Sequence, residues 1–139
     1  MKFLSILFIA LICSACAKNP IIKNIDNTSL NEKQSEIVAQ EIVQLIKQNY
    51  KSKQYQNISL DTSTKNGQII EQKLRIAGYA IEKANTKNHQ IPILIYHIKQ
   101  DNNKIFIHIN FDNKMLNKAY ILNSLSLVST TPLTIIDLK

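Results

Sequence analysis

Two stretches of the chain repeat apolar residues with the period of an α-helix. The first follows Ser29 and Glu32, whose spacing is that of a capping box, and its apolar positions recur every three or four residues as far as Tyr50. The second opens at Asn66 and ends at Gly78, the residue type that most readily takes the left-handed backbone conformation after a helix. The pattern therefore predicts two amphipathic helices, each with one apolar side.

After residue 90 the apolar positions alternate with a period of two. Residues 91–99 and 105–111 alternate around Asn102 and Asn103, and asparagine tolerates the positive φ of a two-residue hairpin turn. In this register one face of the hairpin is apolar and the other is mixed. Shorter strands are predicted at residues 57–62, 79–83, 118–122, 125–129 and 133–138. The elements together predict a small two-layer α+β domain, with two helices on a mostly antiparallel sheet of about five strands. The pattern does not set the register of the strands after residue 112.

The first sixteen residues follow a third pattern, that of a secretory signal. Lys2 precedes a mostly apolar run over residues 3–12, which is too short for a membrane-spanning helix of about 20 residues. Small residues at positions 13–16 then permit cleavage between Ala15 and Cys16, as in a bacterial lipobox. Cleavage before Cys13 is less favourable because bulky residues precede it. We therefore expect Cys16 to be lipidated; the alternatives are an ordinary secretion signal and a retained anchor helix.

Lipidation at Cys16 would attach the protein to a membrane. Two acyl chains suffice for stable attachment, at about 0.8 kcal/mol per buried methylene. Ala17, rather than Asp, follows the cysteine, which is similar to enterobacterial lipoproteins of the outer membrane, so we expect anchoring there, facing the periplasm. The chain then divides into a signal peptide (residues 1–15), a lipidated N terminus with a tether (residues 16–28) and one domain (residues 29–139).

Composition argues against a nucleic-acid partner. The chain carries 17 Lys and Arg against 10 Asp and Glu, a formal net charge of +7. The lysines are spread over many predicted elements, and Arg75 is the only arginine, whereas sequence-specific DNA readers depend on bidentate arginines. Of the 2 cysteines, only Cys16 would remain after cleavage, so no internal disulfide is expected.

Candidate catalytic groups are sparse. The hairpin register places His97 opposite His108, but zinc needs at least three protein ligands, and neither Asp101 nor Asp112 is predicted within reach. The serines lie in polar turns without a nucleophile elbow, and 2 glycines exclude a phosphate-cradling loop. We therefore expect no enzyme, metal, cofactor or small-molecule substrate. A pH-sensitive contact at the two histidines stays open as an alternative.

Several motifs carry a family resemblance. Residues 74–81 read Leu-Arg-Ile-Ala-Gly-Tyr-Ala-Ile, residues 95–101 place Ile-Tyr, Ile and Gln-Asp on a strand that enters the hairpin, and residues 119–121 read Ala-Tyr-Ile. With the lipobox, these motifs resemble conjugal transfer lipoproteins of the TrbH type. The resemblance implies a lipid-anchored structural component of a conjugation or type IV secretion apparatus, which stabilises the outer-membrane core complex, and no catalytic residue. A helix followed by Gly-Tyr and a strand is also typical of secretin N-terminal domains, so we expect a similar fold.

Three surfaces are predicted to bind envelope secretion-complex proteins. The tether carries Ile21, Ile22 and Ile25, which a disordered segment cannot bury by itself. The mixed sheet face is centred on Phe106, and the C-terminal strand with Ile135 is predicted to be an open edge. The alternative function is a free-standing lipoprotein module that binds peptidoglycan, a secretin or another envelope partner.

Overall fold

Two helices pack on one face of a mixed, eight-stranded sheet in the computed structural model, which describes residues 23–50, 57–84 and 91–138. The elements in chain order are β1 (Ile25–Asn27), α1 (Glu32–Asn49), β2 (Asn57–Leu60), α2 (Lys65–Ile76), β3 (Ala80–Lys83), β4 (Ile93–Asp101), β5 (Lys104–Phe111), β6 (Lys114–Leu122), β7 (Leu127–Ser129) and β8 (Thr134–Asp137). The predicted α+β class is confirmed, with eight strands instead of about five. No helix within these residues is long and apolar enough to cross a membrane.

The cap of α1 lies two residues later than predicted. The Asn31 side chain accepts a hydrogen bond from the Gln34 backbone N at 2.9 Å, and Gln34 Oε1 accepts one from the Asn31 backbone N at 3.1 Å. The prediction of a capping box from Ser29 to Glu32 is therefore wrong, because two amide side chains make the same reciprocal bonds in a later frame. The buried side of α1 consists of Ser35, Val38, Ala39, Ile42, Val43, Leu45 and Ile46.

The predicted bounds of α2 are close to the observed ones. Thr64 Oγ1 caps its first turn by accepting a hydrogen bond from the Gly67 backbone N at 3.0 Å. Gly78, just beyond the helix, has a φ of 96°, as the predicted glycine stop requires. Ile70 and Leu74 are fully buried against the sheet, so α2 also contributes one apolar side to the core.

The hairpin of β4 and β5 has the predicted register. Four of its pairs are Leu94 with Phe111, Tyr96 with Ile109, His97 with His108, and Ile98 with Ile107. Leu94, Tyr96 and Ile98 of β4 and the odd-numbered residues of β5 are buried beneath the helices, and we call this side of the sheet the helix face. The opposite side, which carries the two histidines, is called the open face. Strand β6 continues the antiparallel arrangement beside β5, with Ile109 opposite Leu116.

Strand β1 lies within the stretch that the sequence pattern assigned to the tether. It pairs in parallel with β4, beside the site at which β2 pairs with the same strand. The Asn24 side chain, only 3% exposed, accepts a hydrogen bond from the Tyr96 backbone N at 3.0 Å and donates one to the Asp61 carbonyl at 2.8 Å. Asn66 donates a hydrogen bond to the Asp26 carboxylate at 2.7 Å. These bonds make residues 24–27 part of the folded domain.

Candidate partner-binding surface

The open face is built from cross-strand rows of side chains, since successive residues of a strand point to opposite sides of a sheet. The central row runs across five strands through Ile25, His97, His108, Asn117 and Thr134. One flanking row contains Asn27, Lys99, Phe106 and Ala119, and the other contains Ile95, Asn110, Met115 and Ile136. A polar and aromatic row therefore lies between two rows with apolar members.

A shallow groove of about 330 Å³ lies beside Phe106 on this face. Its lining includes Phe106, His108, Asn117, Ala119, Thr131 and Thr134. The connection between β7 and β8 forms one wall, because Thr131 Oγ1 accepts a hydrogen bond from the Ala119 backbone N at 3.0 Å. The Phe106 ring is 41% exposed. An apolar floor with polar groups at its rim suits an inserted side chain of a partner protein better than a charged ligand.

The two histidines at the centre of the open face stack on each other. Their ring centroids are 5.2 Å apart, with the ring planes inclined by 24°. His108 Nδ1 lies 2.5 Å from Asn117 Oδ1, within hydrogen-bonding distance. Partial burial, and secondly the charge of His108, lower the pKa of His97 below its ordinary value. Protonation of His97 upon acidification would place a charge at the centre of a largely uncharged surface.

A second polar cluster ties α1 to β6 on the helix face. The Tyr120 hydroxyl donates a hydrogen bond to the Glu41 carboxylate, and Lys118 Nζ lies 3.8 Å from the same carboxylate. Burial and the Glu41 hydrogen bond raise the pKa of Tyr120. Since Glu41 has two partners within the domain, the simplest function of this cluster is to fix α1 over the sheet.

The predicted site residues fall into three groups. Ile25 and Phe106 share the open face and are 45% and 41% exposed. Ile135 is 48% exposed but lies on the helix side of edge strand β8, opposite Leu116, so it does not join the other two. Ala15, Cys16, Ile21 and Ile22 lie outside the described residues.

Sequence reasoning missed Ile136 and Val128, which the structure places on the open face. They lie opposite Met115 and Ile121, and are 44% and 50% exposed. The only signal for them was the period-two alternation at the end of the chain, whose register could not be set. No group of three His, Cys, Asp or Glu side chains among the described residues could hold a metal ion.

Comparison with known proteins gives one family. A family model described as conjugal transfer protein TrbH matches residues 17–138, which is nearly the whole chain. None of the curated proteins and none of the solved structures matches the chain.

Proposed function

The chain belongs to the TrbH family of conjugal transfer proteins, and from this premise we propose that it is a lipid-anchored structural component of a conjugation or type IV secretion apparatus. In this proposal Cys16 carries the lipid in the outer membrane, and the domain stabilises the outer-membrane core complex from the periplasmic side. The protein acts by holding other subunits and catalyses no reaction.

The observation that carries the proposal is where the family match lies. It begins at residue 17, directly after the cysteine expected to carry the lipid, and continues to residue 138. The part of the sequence that resembles the family therefore coincides with the expected mature chain. The small residues before Cys16 independently predict cleavage between Ala15 and Cys16, which would separate the signal peptide from the part of the chain that matches the family.

The open face supports a binding function for the domain. An antiparallel sheet can keep one face in water, and such a face is then ordinarily polar. Here Phe106, Val128 and Ile136 are each more than 40% exposed on that face. Aromatic and aliphatic side chains beside a groove are typical of the central part of a protein interface. We propose that this face, with Ile21 and Ile22 of the tether, contacts subunits of the core complex.

Substitution of Cys16 tests the anchor. The Cys16→Ala variant is expected to lose incorporation of radiolabelled palmitate and to leave the membrane pellet, and transfer frequency from donor cells should fall. Cys13→Ala is the matched control, because Cys13 lies in the expected signal peptide and should not matter. If Cys16→Ala matured to the same size and stayed in the membrane fraction, the lipid anchor would be disproved.

A further inference from the structure

The two ends of the sheet differ in how their edges are protected. Strand β3 carries the exposed charged residues Glu82 and Lys83, which discourage pairing with another strand. Strand β8 has the half-exposed Ile135 on one side and Ile136 on the other. Residues 123–136, which contain β7 and most of β8, include no charged residue in a chain of net charge +7. Asp137, the last residue of β8, is the only charged residue of that strand, so the β8 end has less of this protection than the β3 end.

The backbone of β8 also offers unpaired hydrogen-bonding groups. Leu138 N donates a hydrogen bond to the Asn113 carbonyl at 2.6 Å, and Met115 is opposite Ile136 in the ladder with β6. Alternate residues of an antiparallel strand face the same neighbour, so the backbone groups of Ile136 face β6 and those of Ile135 and Asp137 face outward. Among the described strands, only β6 pairs with β8.

We propose that β8 is a self-association surface, through which two copies of this chain pair antiparallel and join their sheets. The outward groups of Ile135 and Asp137 fit a register in which Ile136 lies opposite Ile136 of the second copy. Ile135 then lies opposite Asp137 of the second copy, and Thr134 lies opposite Leu138. No two like charges face each other, and Ile136 gains an apolar cross-strand neighbour on the open face.

Two features favour a second copy of this chain as the partner of β8: the absence of charge from residues 123–136, and the attachment of all copies to one membrane. Residues 123–136 carry no charge, so two copies of this segment do not repel each other, whereas a nucleic acid or an anionic lipid surface would find no cation within it. A four-residue strand pair is a weak contact in solution, since an isolated two-stranded pair is at best marginally stable. Confinement to one membrane raises the effective concentration of the copies and strengthens weak contacts. This step rests on the proposed lipid anchor.

Cysteine cross-linking in cell membranes tests the proposal with the full chain. In the proposed register the two Ile136 residues form a non-hydrogen-bonded pair, with Cα atoms about 4.5 Å apart, which a disulfide can bridge. Ile136→Cys should therefore give a disulfide-linked product of twice the mass of one chain upon mild oxidation. Val128→Cys is the matched control, because Val128 is similarly exposed on the same face but lies on β7, away from the proposed pair axis.

Three results would overturn the proposal: no cross-linked product from Ile136→Cys, a product of another mass, or an equal amount of dimer from Val128→Cys. A product of another mass would identify a different protein as the occupant of the edge. Maleimide labelling of the unsubstituted chain reports separately whether Cys16 has a free thiol. Labelling of Cys16 would disprove the lipid anchor. The yield of cross-linked dimer from Ile136→Cys separately decides the strand pairing, so failure of the anchor can be distinguished from failure of the pairing.

Discussion

Replacement of Asn24 by alanine tests whether the entry strand β1 is part of the cooperative fold. The Asn24 side chain bonds the Tyr96 backbone N and the Asp61 carbonyl, and the residue is 3% exposed. In Asn24→Ala both backbone groups lose their partner. A buried group left without a hydrogen bond costs about 1–3 kcal/mol. Since two such groups are affected, we expect the free energy of unfolding to fall by about 2–6 kcal/mol.

Urea unfolding followed by circular dichroism measures this loss, and Asn27→Ala is the matched control. Asn27 is the last residue of β1, which directly follows Asn24, and it is exposed, so its replacement should change the free energy of unfolding by less than about 0.5 kcal/mol. Thermal unfolding should show the same order, with the melting temperature of Asn24→Ala lowered by roughly 4 °C per kcal/mol. Equal stabilities of the two variants would refute the reasoning, because β1 would then unfold without cost to the domain.

Three further predictions concern the core and the open face. Gly67→Ala should lower the free energy of unfolding, measured in urea titrations, by about 1–2 kcal/mol, because a Cβ at residue 67 would lie 2.8 Å from the Asp61 carbonyl oxygen. This loss is opposite in sign to the usual effect of alanine in a helix. Because the pKa of His97 is lowered in the folded state, the unfolded chain binds more protons at this residue, and the free energy of unfolding should fall as the pH drops below the ordinary histidine pKa of about 6.5. The His97→Gln variant should show a weaker pH dependence of the melting temperature, and an unchanged dependence would contradict the lowered pKa of His97. Phe106→Ser should change the melting temperature by less than about 2 °C relative to the unsubstituted protein, because the residue is 41% exposed. The variant should co-purify less of the core complex, and unchanged co-purification would show that Phe106 is not part of the interface.

The central hairpin could be predicted from sequence because its determinants are local. Two alternating runs adjoin a two-residue turn, and Asn102 takes the positive φ of 53° that this turn requires. Once the turn is placed, every pair from Asp101 with Lys104 outward follows. A shift of one residue would have moved the buried Tyr96 to the open face, so the burial pattern supports the same register.

Strand β6 could be predicted only in part because a lysine breaks its alternation. Lys118 lies opposite the buried Ile107 and so belongs to the helix face, where an apolar residue is expected. It is tolerated there because its Nζ lies 3.8 Å from the Glu41 carboxylate and 5.1 Å from the centre of the Tyr120 ring. A contact between residues so far apart in sequence leaves no local signal.

Strand β1 was missed for a similar reason. Three residues are too few to show a period, and the bonds that hold them reach from Asn24 to Asp61 and Tyr96. Of the exposed apolar residues on the open face, Phe106 was predicted on the mixed sheet face and Ile25 on the tether. Its other apolar members, Val128 and Ile136, depend on strand registers that are set by pairing with β6.

The size of the particle that contains this protein tests the central claim most directly. The full-length chain, tagged at its C terminus, is solubilised gently from donor membranes and separated on a density gradient. We predict that it sediments in a large complex with other transfer proteins, and that this complex is destabilised in donors that lack the chain. If the protein sedimented alone, while the remaining transfer complex assembled normally without it, its proposed structural role would be contradicted.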